Sequence, residues 1–96
     1  MFIDDKLIPT KYNIKSIYPN PFNPTTTILF SIPNPGFVSL KVYNLKGNTI
    51  SILREHYMNM GHYNILWDAS YYPSGIYFVK IIADGFIQTN KVVLMK

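Results

Sequence analysis

His56, His62 and Asp68 are the side chains of this sequence best suited by type to hold a metal ion. Their separation matches none of the ligand spacings of structural or catalytic metal sites. The carboxylates are Asp4, Asp5, Glu55, Asp68 and Asp84. Nothing in their placement sets two of them across a cleft, as an acid–base pair would require. Ser74 precedes a glycine but lacks the flanking glycines and the strand–turn–helix setting of a nucleophile elbow. The sequence has no cysteine, so thiolate nucleophiles, disulfides and thiolate metal sites are excluded. No glycine-rich run could cradle a phosphate. The residues therefore call for no catalytic site, no metal and no cofactor, and the chain reads as a non-enzyme.

Composition points to a binding or structural role instead. Hydrophobic residues make up 48% of the 96 positions, with eight tyrosines and six phenylalanines, while charged residues are only 15%. An average globular chain carries about 25% charged residues. Low charge with abundant aromatic and β-branched residues favours strands over disorder. The net charge is +4, yet Lys41, Lys46, Lys80, Lys91 and the other lysines are scattered along the chain. Scattered lysines predict a solvated surface and no nucleic-acid footprint. The opening Met1-Phe2-Ile3-Asp4-Asp5-Lys6 has no basic start and no sustained apolar run, so it is not read as a signal peptide. No apolar stretch approaches the roughly 18 residues of a transmembrane helix.

The elements that would position these side chains follow from periodicity. Residues 1–16 show no sustained pattern and are expected to be a tether. Pro19, Asn20, Pro21, Phe22, Asn23 and Pro24 form a proline-rich stretch that cannot be a central strand, because proline removes a backbone donor and fixes φ. It should be a stiff strap along a sheet edge, with Asn20 and Asn23 making local turns. Ile28, Phe30 and Ile32 then share one face of a strand, as do Val38, Leu40 and Val42 in the next. Asn44-Leu45-Lys46-Gly47-Asn48 closes a hairpin, and the returning strand is expected to turn Ile50 and Ile52 inward. Residues 54–61 read as a loop or an edge. Tyr63, Ile65 and Trp67 form another inward face, and the lone tryptophan is read as a core plug rather than a sugar platform. Residues 76–83 form a central strand, Asp84-Gly85 a tight hairpin, and residues 86–95 the last strand, with Gln88, Asn90 and Lys91 on its wetter side. Short strands at this spacing predict an all-β, antiparallel, immunoglobulin-like sandwich of about seven strands over residues 17–96.

Several strings carry a resemblance beyond pattern. Tyr18-Pro19-Asn20-Pro21-Phe22-Asn23-Pro24-Thr25-Thr26-Thr27-Ile28 resembles the opening of the type A C-terminal sorting domains of the bacterial type IX secretion system. The likeness continues through Val38-Ser39-Leu40-Lys41-Val42-Tyr43-Asn44-Leu45-Lys46-Gly47, Trp67-Asp68-Ala69 and Ser74-Gly75-Ile76-Tyr77-Phe78. It ends with Lys91-Val92-Val93-Leu94-Met95-Lys96. The immunoglobulin-like domain of flagellar hook-capping proteins shares parts of the same pattern.

The resemblance implies a non-catalytic sorting module fused behind an N-terminal cargo. It implies partners in the translocon, an outer-membrane shuttle and a surface sortase that cuts the domain away. By positional match, Gly75, Tyr77, Lys91, Val92, Val93, Leu94, Met95 and Lys96 would be read by the secretion machinery, and Pro19 to Pro24 would be the opening strap. The cargo would reach the cell surface or the medium through the periplasm and outer membrane, with an export signal upstream of residue 1. A terminal strand of this kind is expected to leave its edge free for a receptor. A carbohydrate-binding module using Tyr43, Tyr57, Tyr71 and Tyr72 is the alternative, and a small nucleic-acid-binding barrel is a third reading.

Overall fold

The computed structural model describes residues 8–96, and the reading of the first six residues lies outside them. Seven strands follow one another: β1 (Asn13–Tyr18), β2 (Thr25–Ile32), β3 (Gly36–Tyr43), β4 (Thr49–Met58), β5 (Gly61–Asp68), β6 (Gly75–Ala83) and β7 (Phe86–Leu94). They form two antiparallel sheets, one in the order β1-β2-β5 and the other β4-β3-β6-β7. This is an immunoglobulin-like sandwich in which the fourth strand pairs with the third instead of joining the first sheet. β1 takes in residues 13–16, which sequence periodicity had assigned to the tether, because these residues pair with β2 despite a bulge near Lys15.

The core is built from alternating positions of every strand. Ile28, Phe30 and Ile32 of β2 face Val38, Leu40 and Val42 of β3 and Val79 and Ile81 of β6, all fully buried. Strand β6 lies between β3 and β7 and behaves as the central strand that its apolar run implies. The β6–β7 turn has positive φ at both Asp84 (46°) and Gly85 (77°), the backbone a two-residue type I′ hairpin needs. In the β3–β4 hairpin, Asn44 Oδ1 accepts from the N–H groups of Lys46 and Asn48, each at 3.0 Å.

Residues 54–58, read as a loop or an edge, are strand and complete β4 as the edge of the larger sheet. Two other expectations are corrected. The register of β4 against β3 slips twice, between Leu40 and Lys41 and again between Val42 and Tyr43. Each slip inserts an extra residue and reverses the alternation. Ile50 and Leu53 consequently pack against the core, and Ile52 points out at 57% exposure. Two bulges also blunt β4 as a template for unwanted pairing. On β7, Gln88 and Asn90 share the inward parity of Val92 and Leu94, not the outer side. The Gln88 amide receives the Ile14 N–H at 2.9 Å and donates to the Ile14 carbonyl at 3.2 Å. A side chain of one sheet thereby satisfies the backbone edge of the other, which is why polar residues occupy these inward positions.

Candidate recognition surface

Gly75 and Tyr77 open β6, and residues 91–96 close β7 and continue past it. Antiparallel pairing sets them side by side: Gly75 opposite Leu94, Ile76 opposite Val93, Tyr77 opposite Val92. Gly75 has φ +157° with nothing within 4 Å of the position a Cβ would take. Substitution there is costly through the backbone, which disfavours any L side chain, rather than through crowding.

The strap lies against the other edge of β7. Phe22 bridges Leu94 in parallel register, donating its N–H to the Val93 carbonyl and accepting from the Met95 N–H, both at 2.9 Å. The Asn20 side chain accepts from the Val93 N–H at 3.0 Å and donates to the Lys91 carbonyl at 3.2 Å. The edge of the last strand is therefore occupied, not free: backbone groups of Lys91, Val93 and Met95 are already paired to the strap. Asn20 lies in a bend of the strap, and its side chain serves this edge. At the strap's start, Thr26 Oγ1 donates to the Pro19 carbonyl at 2.7 Å. Replacing Asn20 with alanine leaves two β7 backbone groups to water and should lower stability by about 1 kcal/mol. Urea unfolding of both proteins measures this, and no change would mean that the clasp adds nothing.

Behind the strap sits a box of rings. Trp67 has its ring centroid 5.3 Å from Phe22, 5.7 Å from Tyr77 and 6.1 Å from Tyr72. The tyrosine hydroxyls leave the box: Tyr72 donates to the Ile50 carbonyl at 2.7 Å and Tyr77 to the Pro73 carbonyl at 2.6 Å. Burial, and then the neighbouring Tyr72, push the Tyr77 hydroxyl pKa up. Trp67 Nε1 is buried without a protein acceptor, and the rings around it pack the indole in place.

Lys96 ties the end of this segment to the β5–β6 loop. Its backbone N–H donates to Ser74 Oγ at 2.9 Å and its ammonium to the Ser70 carbonyl at 2.6 Å. Ser70 also hydrogen-bonds Asp68 through its hydroxyl and its N–H. Those two bonds, aided by the Lys96 charge, hold the Asp68 carboxyl below the ordinary range.

Burial divides the predicted site residues into two groups. Phe22, Tyr77, Val92 and Leu94 are buried and can act only through the fold. Pro19, Asn20, Pro21, Asn23, Lys91, Met95 and Lys96 are exposed, with Pro24, Gly75 and Val93 half-buried. An exposed rim of prolines, amides, two lysines and a methionine can bind a partner surface. Within it, Ser74 Oγ accepts from the Lys96 N–H. The one Ser–His hydrogen bond among the described residues, Ser31 Oγ with His62 Nδ1 at 2.9 Å, lies away from the rim, between β2 and β5 of the other sheet. Among the described residues, no cluster of three His, Cys, Asp or Glu side chains could hold a metal. Nor do the tyrosines considered for sugar binding form a row. Tyr72 belongs to the ring box, Tyr57 and Tyr43 lie at opposite ends of β3–β4, and Tyr71 protrudes from the β5–β6 loop.

One grouping was invisible in the sequence. Lys41 lies directly opposite Lys80, and Lys91 opposite Phe78, one residue pair along the same outer face. These lysines are scattered in sequence but adjacent in the sheet. Only the strand register, which spacing along the chain does not reveal, could have found them.

The family described as "Secretion system C-terminal sorting domain" matches residues 16–95. No curated protein matches the chain.

Proposed function

Because the chain belongs to the family of secretion system C-terminal sorting domains, we propose that it carries a fused N-terminal cargo through the type IX system to the cell surface and performs no catalysis. The family match over residues 16–95 carries this reading. The geometry supports it by gathering the strap, the start of β6 and the end of β7 at one end of the sandwich. On this reading the exposed rim of Asn20, Lys91, Met95 and Lys96 is what the translocon and its outer-membrane shuttle touch. The buried Tyr77, Val92 and Leu94 hold that rim in shape. A surface sortase then acts on the junction with the cargo, and the export signal for the inner membrane lies upstream of the domain.

The test is a fusion of residues 1–96 behind a signal peptide and a neutral reporter, expressed in a bacterium with a type IX system. The reporter should become accessible at the surface, and it should stay in the periplasm when the translocon is deleted. A reporter that stays periplasmic in the intact host, with the domain folded, would overturn the sorting reading.

A further inference from the structure

The outer face of the β4-β3-β6-β7 sheet combines cations that have no ion-pair partner among the described residues with exposed apolar side chains. Across it, Ile52, Lys41, Lys80 and Thr89 form one row, and Thr49, Tyr43, Phe78 and Lys91 the next. Glu55 pairs with Lys41 at 3.1 Å, the only ion pair among the described residues, and leaves Lys80 and Lys91 without a carboxylate partner. A shallow groove of about 330 Å³ runs beside Lys80, walled by Tyr43, Leu45, Phe78 and Thr89. Toward the other end of the same face, Phe37 (59% exposed) and Tyr57 (65%) form one cross-strand pair, and Ile82 (36%) and Ile87 (59%) form another in the next row, which continues through Ser39 to Glu55. Exposed apolar side chains gathered on one face of a small domain suit an interaction surface.

We propose that this face docks a protein surface that presents carboxylates beside apolar side chains, the carboxylates meeting Lys80 and Lys91 and the apolar groups meeting Phe37, Ile82 and Ile87. The inference rests on the sorting reading and adds to it a second contact, on the outer sheet face that meets the strap rim at Lys91. Charge complementarity selects the partner. Beside the groove, the Lys80 ammonium sits 5.8 Å from the Tyr43 ring centroid and occupies the stacking position on that ring. From strand spacing and rise, four strands over some six residues offer a footprint of about 400 Å². That is about half of what each partner buries in a standard stable complex, so the contact is a transient one.

The test uses the variant Lys80→Glu with Ile87→Ser, which spares the strap and residues 91–96. In the isolated chain, a short synthetic peptide alternating glutamate with leucine and tyrosine should shift the amide resonances of Lys80, Thr89 and Ile82 at low salt. The double variant should bind it about tenfold more weakly, and Lys15→Glu, on the opposite sheet, should not. In the reporter fusion, the double variant should slow surface appearance by a similar factor while its melting temperature stays unchanged. Shifts spread equally over Lys11 and Lys15, tighter binding of oligothymidylate at the same face, or undiminished export by a folded double variant would each overturn the proposal. If the unmodified fusion itself fails to export, the sorting reading falls and the peptide titration alone decides the face.

Discussion

Trp67→Ala should destabilise the sandwich by about 3–5 kcal/mol, the range for truncating a large aromatic in a core. The indole is 2% exposed and touches rings from the strap, from the β5–β6 loop and from β6, so its loss opens a cavity where three segments meet. Against the 5–15 kcal/mol available to a domain of this kind, that is a large share. It corresponds to a fall in melting temperature of roughly 12–40 °C. Trp67→Phe supplies the contrast. Because Nε1 has no protein acceptor, phenylalanine forfeits packing but no hydrogen bond to the protein, and its cost should be clearly smaller than that of alanine. Thermal melts of the three proteins decide the matter. Equal losses for both variants would show that the indole is held by something other than ring packing.

Deleting residues 92–96 should abolish export, and it should do so by unfolding the domain. Val92 and Leu94 are 0% and 1% exposed, and removing buried aliphatic side chains costs about 2–5 kcal/mol each. The same deletion strips the strap of every partner on Val93 and Met95. Together these losses reach the whole stability of a small domain. The deletion therefore measures folding. Recognition is isolated by Met95→Ser with Lys96→Ser, since both side chains are exposed and such changes usually shift stability by about 0.5 kcal/mol, with somewhat more for the Lys96 bond to Ser70. Cargo should then stay in the periplasm behind a domain that resists proteolysis. Normal export of this double variant would remove residues 95 and 96 from the recognition rim.

Strand positions and most inward faces were legible because apolar residues alternate at period two over β2, β3, β5 and β6. Turn chemistry at Asn44 and at Asp84-Gly85 was equally local and equally readable. What escaped depends on partners distant in sequence. A bulge is an extra residue relative to another strand, so the outward turn of Ile52 is absent from β4's own pattern. Gln88 looks solvent-facing by residue type, yet it pairs with a backbone 74 positions away. The strap was correctly placed on an edge, but the identity of that edge is a property of the assembled sandwich. With it went the expectation of a free last strand.

The clasp between Asn20 and Val93 spans 73 residues, and the one between Gln88 and Ile14 spans 74. Contacts so far apart must overcome the entropy of closing nearly the entire chain before they give any return. Sandwiches governed by such contacts fold in milliseconds to seconds rather than microseconds. While the segment beyond Lys91 is still being synthesised, the strap has nothing to pair with and the ring box lacks the β7 support that holds Phe22 in place. The seam can therefore close only once residues 91–95 are in place, so a chain without them is expected to leave open the rim that they close.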